Sequence, residues 1–352
     1  MKKLLTEICA IPSQTYDEEA CAQFLYEKLT SEAQPTAHYQ YGHSHIYEFH
    51  YDKTKPVLGL VGHLDVVPKH FEPYEKDMNI HGAGASDMKA GVAAFVHLLT
   101  TDKQTLCENM NITLILYVKE EQTPITENGL YELIQEYPDI IKKIDCAIVG
   151  EPTDNTIQLG CVGSLHVTVS VKGKAAHSAR PWNGENALYK ALPLIQAIAE
   201  QKPIAQTIAG LEFLDVISIT ESESEAGRTT IPGTWTCNLN YRFAPNKTEA
   251  EALTYVTNLV KKSLNNDVTI TVKDSVYAGN IIETPFSKKV IESLSCDIEA
   301  KQAWTDVAQL AKCGVPAFNF GPGYQAQAHQ DNEYVSIAYC EEYLNKIRTL
   351  KL

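Results

Sequence analysis

The sequence lacks the features that mark a membrane protein or a secreted disulfide framework. No stretch approaches the roughly 20 consecutive apolar residues that a membrane span requires. The opening residues, MKKLLTEICAIPSQ, contain too short an apolar run for a signal peptide. The nine cysteines are odd in number and scattered without Cys-x-x-Cys spacing, which indicates reduced thiols and neither disulfides nor a thiolate zinc site. We therefore expect a cytoplasmic protein.

Positive charge is also scarce. The chain has 30 lysines and arginines against 44 acidic residues, so its formal net charge is -14. This balance argues against nucleic acid and anionic membrane as partners, because both need a basic face. A small anionic substrate stays compatible with it, because a few local arginines or a metal ion can override the overall field.

The first part of the chain alternates strands and helices. A length of 352 residues favours two domains. Apolar runs predict buried strands at PVLGLVGH, NITLILYV and CAIVGE, and a helix at SDMKAGVAAFVHLL has Ser86 as its candidate N-cap. The alternation predicts an α/β fold, an open twisted mixed sheet with helices on both faces.

The pattern changes at about residue 162. LHVTVSVKG alternates strictly between apolar and polar residues, and the following segments have the order β-α-β-β-α-β. That order predicts a ferredoxin-like α+β domain. The α/β pattern then returns, so we predict a larger domain built from residues 1–161 and 278–352, with a smaller domain inserted at 162–277.

Potential ligand residues fall where the predicted strands end. Ligands of open α/β sheets bind outside the carboxyl ends of the strands. Each residue alone has an ordinary explanation, such as a core histidine, a solvated glutamate or a turn. Their coincidence at one edge favours a site for two divalent metals, most simply zinc, which accepts imidazole nitrogen and carboxylate oxygen. The residues are His63, Asp65, Asp87, Glu120, Glu121, Glu151 and His329.

The adjacent pair Glu120 and Glu121 needs a compensating charge. Neighbouring carboxylates repel each other, and burying either is costly without a partner. Metal ions would neutralise the pair. Adjacent residues point in different directions, so one glutamate can bind metal while the other faces the attacking water as a general base.

Five motifs occur in the order found in the M20 family of metal-dependent amidohydrolases and peptidases, which the sequence resembles. They are GHLDVVP, GAGASDMKAG, KEEQ, VGEPT and AHQDNEYV. The resemblance extends into the inserted segment through GKAAHSARP and IPGTWTCNLNYRF. It implies a zinc-hydrolase type of catalytic domain with an inserted lid domain, through which the chain forms a homodimer.

The resemblance also implies roles for single residues. His63 and Glu151 would bind one zinc, Glu121 and His329 the other, and Asp87 would bridge the two. Cobalt or manganese could substitute for zinc. Glu120 would be the general base, and Asp65 would hydrogen-bond the His63 ring and orient it. His177 would reach the partner subunit's site and stabilise the oxyanion. A cis peptide is expected at Asp87-Met88.

Within the family, several segments resemble the succinyl-diaminopimelate desuccinylases. These segments are AHSARPWNGENAL, AWTDVAQLAKCGVPAFNFGPG and GCVGSL. The resemblance implies hydrolysis of N-succinyl-LL-2,6-diaminopimelate to succinate and LL-2,6-diaminopimelate, in lysine and cell-wall precursor synthesis. Arg180 and Arg242 would grip substrate carboxylates, because guanidinium groups match them bidentately. Thr305 would hydrogen-bond the substrate.

Other functions stay open. Many desuccinylases carry two arginines where this chain has Cys161 and Val162, and an asparagine where it has Thr229. Both positions lie near where the acyl group or the free carboxylate binds. The alternatives are an N-acetylornithine deacetylase, another M20 aminoacylase or dipeptidase, and an inactive metal-binding relative.

Overall fold

A computed structural model describes residues 1–67, 69–121, 123–225, 227–264 and 268–350. The strands are β1 Ala37–Tyr41, β2 Ser44–Phe49, β3 Val57–His63, β4 Tyr74–Lys76, β5 Asn79–His81, β6 Asn111–Tyr117, β7 Cys146–Val149, β8 Ile157–Leu159, β9 Gly163–Lys172, β10 Ala176–His177, β11 Ile204–Ile208, β12 Leu211–Ser224, β13 Thr230–Ile231, β14 Thr234–Phe243, β15 Val268–Val276, β16 Ile298–Ala300, β17 Ala317–Asn319 and β18 Tyr334–Ser336.

The helices follow the predicted alternation with the strands. They are α1 Lys2–Ala10, α2 Glu19–Lys28, α3 Lys89–Thr101, α4 Lys103–Leu106, α5 Gly129–Glu136, α6 Pro138–Ile141, α7 Ala187–Ala199, α8 Glu249–Ser263, α9 Pro285–Leu294, α10 Val307–Lys312 and α11 Ile337–Arg348. Among the described residues, no helix is both long and apolar enough to cross a membrane.

The chain divides into two compact units. The first contains Met1–Gly160, Ile281–Glu299 and Thr305–Leu352, and the second contains Cys161–Asn280 and Ala300–Trp304. The second unit therefore takes up a short segment that lies beyond its main stretch, which the sequence patterns had not indicated. The two ends of that main stretch are paired, because Cys161 and Gly279 exchange two backbone hydrogen bonds of 3.1 and 2.9 Å.

An eight-stranded mixed sheet forms the centre of the first unit, in the order β1-β2-β6-β3-β7-β17-β8-β16. The neighbours β6, β3, β7 and β17 run parallel, and β1, β2 and β8 pair antiparallel. Every residue of β3, β6 and β7 is buried, as expected for parallel strands covered on both faces. The predicted α/β class is confirmed.

Helix α3 packs very closely against the loop after β7. A Cβ atom at Gly91, in the first turn of the helix, would lie 2.3 Å from the carbonyl oxygen of Gly150. Only glycine permits this approach, which brings the start of α3 to the end of β7. The predicted N-cap was wrong, because the helix begins after Met88 and Ser86 Oγ donates to the Tyr334 carbonyl at 2.7 Å.

The second unit has a five-stranded antiparallel sheet in the order β11-β12-β14-β9-β15, with α7 and α8 packed against it. Without β11, this is the ferredoxin-like arrangement that the sequence predicts. Residues along β9 alternate between buried and part-exposed positions. Its apolar face joins Val167, Leu239 and Val256 in the core of the unit.

Candidate metal centre

The predicted ligands of the first unit meet at the carboxyl edge of the parallel strands. His63 is the last residue of β3, Glu121 follows β6 and Glu151 follows β7. Asp87 precedes α3 by two residues, and His329 lies in the segment between β17 and β18. Strand β3 lies between β6 and β7 in the sheet. The chain passes from β3 to β6 on one side and then returns to β7 on the other side, which makes the end of β3 a topological switch point, where ligands of such sheets bind.

Asp87 stands between two sets of ligand atoms. Its Oδ1 is 3.4 Å from His63 Nε2, and its Oδ2 is 3.5 Å from His329 Nε2. His63 Nε2 is also 3.9 Å from Glu151 Oε1, and His329 Nε2 is 2.9 Å from Glu121 Oε1. The two oxygens of Asp87 thus lie near two different histidines, and each histidine lies near a different glutamate, as two neighbouring cations would require.

These residues fit a pair of divalent cations. Ligand atoms of His63, Asp87 and Glu121 all lie within 4.8 Å of one another. Asp87 Oδ1 is buried and accepts no hydrogen bond from the described residues, which leaves it available to a metal. Imidazole nitrogens and carboxylate oxygens are the donors that zinc takes at such sites. The peptide bond between Asp87 and Met88 is cis, as predicted.

The charges of the site are strongly coupled. Burial lowers the pKa of His63, but the Asp87 carboxylate 3.4 Å away and the charges of Glu120 and Asp65 outweigh burial, so the pKa lies well above its usual value. Hydrogen bonds to Asp87 and Glu121 raise the pKa of His329 to about 10. A cation would take the place of these imidazole protons, because histidine binds metal in its neutral form.

Asp65 holds the two adjacent glutamates. Its carboxylate accepts hydrogen bonds from the backbone N–H of Glu120 at 3.0 Å and of Glu121 at 2.8 Å. The ring of His63 instead donates through Nδ1 to the Asp65 carbonyl oxygen at 3.0 Å, and the nearer carboxylate oxygen is 3.6 Å away. The predicted hydrogen bond between Asp65 and the His63 ring is therefore present, with the main-chain carbonyl of Asp65 as its acceptor.

The backbone turns sharply just before these glutamates. Lys119 adopts a left-handed conformation with φ of 59°, and its N–H donates to Glu18 Oε1 at 3.0 Å. Such a conformation is costly for a residue with a side chain and persists where the surroundings fix it. Beyond the turn, Glu121 is buried while Glu120 is half-buried. Burial, and then the charge of Glu121 among others, raises the pKa of Glu120 well above its usual value.

Glu333 is a residue of the site that the sequence had not singled out. Its buried carboxylate accepts hydrogen bonds from the backbone N–H of Gly84, Ser86 and Asp87, at 2.9, 2.7 and 2.8 Å. It thus ties the segment after His329 to the loop that carries Asp87. The available signal was its place in the motif AHQDNEYV, four residues after the histidine.

A second buried carboxylate, Asp306, lies next to Thr305. It accepts hydrogen bonds from the Tyr117 hydroxyl, from Gln309 Nε2 and from Asn128 Nδ2, the last at 3.3 Å. Tyr117 ends β6, so this group supports the strand that leads to Glu120. Thr305 precedes α10 as predicted, but only 2% of its surface is exposed. Its contact with substrate stays a prediction.

The other predicted site residues belong to the second unit. His177 ends β10 and is exposed, and its Nδ1 accepts a hydrogen bond from the Ala179 N–H at 3.1 Å. Arg180 is also exposed. Arg242 lies on β14, where its Nε donates to Asn240 Oδ1 at 3.1 Å. Their roles toward substrate stay predictions.

The chain belongs to the peptidase family M20/M25/M40, whose family model matches residues 59–351. It is 34% identical over 280 residues to the succinyl-diaminopimelate desuccinylase of Corynebacterium glutamicum, covering 78% of this chain and 75% of that protein. Membership and this likeness make the protein a hydrolase that acts on amide bonds.

Two solved structures share the fold. A tripeptidase from Staphylococcus aureus superposes with a TM-score of 0.82 at 19% identity, covering 99% of this chain and 96% of that one. The Bacillus subtilis YXEP protein, titled a dinuclear metal-binding peptidase of the M20 family, gives a TM-score of 0.70 at 13% identity, with 99% and 96% covered. The clustered ligands around Asp87 agree with a metal-binding member of this family.

Proposed function

We propose that the protein is a two-zinc desuccinylase that hydrolyses N-succinyl-LL-2,6-diaminopimelate to succinate and LL-2,6-diaminopimelate, for lysine and cell-wall precursor synthesis in the cytoplasm. The observation that carries the two-metal chemistry is the position of Asp87, whose two oxygens lie near two different histidines, each of which lies near its own glutamate. The choice of substrate is supported by the desuccinylase relative.

The proposed ligands divide as the distances suggest. His63 and Glu151 would hold one zinc, Glu121 and His329 the other, and Asp87 both; cobalt or manganese could replace zinc. Bound divalent cations supply Lewis acidity, which polarises an amide carbonyl and lets water attack at neutral pH.

Glu120 would move the proton. Its half-buried carboxylate takes a proton from the attacking water and delivers it to the leaving nitrogen. Asp65 accepts hydrogen bonds from the backbone N–H groups of Glu120 and Glu121. These bonds would keep the proposed base, Glu120, at a fixed position relative to the proposed metal ligand, Glu121. His177 would donate a hydrogen bond to the oxyanion from a partner subunit, while Arg180 and Arg242 would bind substrate carboxylates.

The second unit would also form the homodimer. Its exposed apolar side chains include Trp182, Tyr189 and Leu192, which are 77, 68 and 52% exposed. Exposed apolar groups of this size mark interaction surfaces when they cluster. Tyr189 and Leu192 both lie on α7, which makes that helix the proposed contact.

Initial rates on purified zinc-loaded protein test the proposal. We expect kcat/KM for N-succinyl-LL-diaminopimelate to exceed that for N-acetylornithine by at least about 100-fold, because a site built for a polar group rejects an analogue that lacks it. A preference for N-acetylornithine would refute the substrate and keep the metal chemistry. Failure to hydrolyse either compound, or any dipeptide, would refute the proposed activity.

A further inference from the structure

A cavity of about 220 Å³ in the first unit is bounded by the candidate ligands Asp87, Glu121 and His329. Val66 and Val67 also line it, directly after the segment that carries His63 and Asp65. The Val66 N–H donates to the Ser13 carbonyl at 2.9 Å, which fixes this wall of the cavity. Apolar groups beside the metal ligands suit the methylene carbons of an acyl chain or an amino acid.

Lys69 gives this cavity a positive charge. Of the lining residues that the structure describes, it is the one lysine or arginine, whereas Asp87, Glu121, Asp331 and Glu333 are carboxylates. Even with two divalent cations bound by the inner carboxylates, a substrate carboxylate would meet Asp331 near the cavity. A facing ammonium group would offset that repulsion.

The present partner of Lys69 can be displaced. Its Nζ forms an ion pair with Asp331 Oδ1, and the two side chains are 68 and 74% exposed. Ion pairs this exposed contribute little net stability, because water and salt compete for both charges. A ligand carboxylate that also gained contacts with the cavity would therefore replace Asp331 at little cost.

We propose that Lys69 binds a carboxylate of the substrate and so determines specificity for anionic N-acyl amino acids. The inference rests on the proposed function and refines it. N-succinyl-LL-2,6-diaminopimelate carries three carboxylates, so a third cation beside Arg180 and Arg242 has a carboxylate to receive. Lys69 supplies one within the cavity of the metal ligands themselves.

The three carboxylates of the substrate have the same chemistry. One belongs to the succinyl group and two belong to the diaminopimelate that is released. N-succinyl-LL-diaminopimelate and N-acetyl-LL-diaminopimelate share the amine part and differ only in the acyl group, which ends in a carboxylate in the first and in a methyl group in the second. Comparing them therefore identifies which carboxylate Lys69 binds.

The test uses zinc-loaded wild type, Lys69→Met and Lys69→Arg. Lys76→Met is the control, because Lys76 is an exposed lysine of the same unit on β4, outside the cavity lining. We expect Lys69→Met to raise KM at least about 10-fold with kcat nearly constant, as for the loss of a charged hydrogen bond. Lys69→Arg should restore most of the loss, and Lys76→Met should stay within about twofold of wild type.

The outcomes separate this inference from the proposed function. A loss confined to the succinyl compound assigns Lys69 to the acyl carboxylate, and an equal loss on both compounds assigns it to a carboxylate of the diaminopimelate part. A change below twofold in Lys69→Met, or an equal change in Lys76→Met, overturns the inference while the desuccinylase activity stands. If wild type cleaves neither compound, the proposed function fails, and calorimetric titration with succinate still tests Lys69: weaker binding by Lys69→Met supports it, and equal or absent binding overturns it.

Discussion

The sheets of the two units carry their polar residues in opposite ways. In the first unit, β3, β6 and β7 are buried throughout, and the polar side chains collect beyond their carboxyl ends. In the second unit, polar residues alternate along the strands, so that His166 and Asn240 hydrogen-bond across neighbouring strands at 2.9 Å. The first arrangement concentrates charge at one buried point, and the second spreads polar groups over a face.

The difference teaches how each unit would contribute to catalysis. Around Asp87, the positions of the side chains are fixed by carboxylates that accept main-chain hydrogen bonds, as Asp65 and Glu333 do. In the second unit, His177 and Arg180 are exposed. We therefore expect changes at the ligands of the first unit to alter metal binding, and changes in the second unit to alter turnover or substrate binding without loss of metal.

Replacing the proposed base gives the largest expected effect. Glu120→Gln should lower kcat about 1,000-fold, within the usual range for general acid–base groups, because the amide cannot take a proton from water. Metal content, measured by elemental analysis after dialysis, should stay at that of wild type. The matched variant Glu121→Gln should lose metal instead, and a similar loss in Glu120→Gln would contradict the division of roles between the two neighbours.

His177→Ala examines the second unit. Removing an oxyanion donor should lower kcat about 100- to 1,000-fold while KM changes little. Steady-state kinetics and metal titration on the same preparation would measure both properties. Unchanged kcat would exclude His177 from the reaction, and weakened metal binding would break the contrast between the two units.

Glu333→Gln tests the support beneath the metal ligands. A glutamine offers one oxygen and turns an N–H group toward a backbone donor, so the loop that carries Asp87 should shift. We expect metal affinity to fall about 10- to 100-fold, as is typical when a group supporting a ligand is changed. Cobalt-loaded protein should show an altered visible absorption spectrum, which a general loss of stability would not produce. The exposed Glu341→Gln on α11 serves as control and should leave the spectrum unaltered.

A buried histidine away from the metal ligands gives the smallest expected effect. The ring of His45 packs against those of His38 and Tyr47, and burial followed by the charges of His38 and His43 lowers its pKa to about 4. In the unfolded chain a histidine takes up its proton near pH 6.5. Between these values only the unfolded state is protonated, so the free energy of unfolding falls as pH decreases.

At pH 5.5 this loss amounts to about 1 kcal/mol relative to pH 7.5. His45→Gln should remove that part of the pH dependence, whereas the exposed His43→Gln should retain it. Hydrogen exchange of residues 44–49 is the suitable measurement, because all three tryptophans lie in the second unit and fluorescence would report on that unit. Equal pH dependence in wild type and His45→Gln would contradict the prediction.

The sequence predicts most of the first unit because its signals are local. The apolar runs of β3 and β6 define buried strands, and parallel strands necessarily end at one edge. The clustering of His63, Glu121 and Glu151 follows from these two facts.

Contacts between distant segments could not be predicted in the same way. Glu333 and Asp87 are 246 positions apart, and nothing in either segment shows that one carboxylate accepts the other's N–H. For a related reason the sequence did not show which atom of Asp65 accepts from the His63 ring, because a residue type does not reveal whether its carbonyl or its carboxylate contacts a neighbour. Strand β11 was missed, since its residues are mostly exposed and lack a buried face.

The backbone hydrogen bonds between Cys161 and Gly279 have a consequence for the evolution of the inserted domain. The chain enters and leaves the main part of the second unit at neighbouring positions, Cys161 and Gly279. Domains whose ends lie close together are tolerated as insertions. Recombination could therefore replace residues 161–280 as one segment, and the strand order of the eight-stranded sheet in the first unit would stay the same. Residues 300–304 would be left behind by such an exchange, and any replacement would have to be compatible with them.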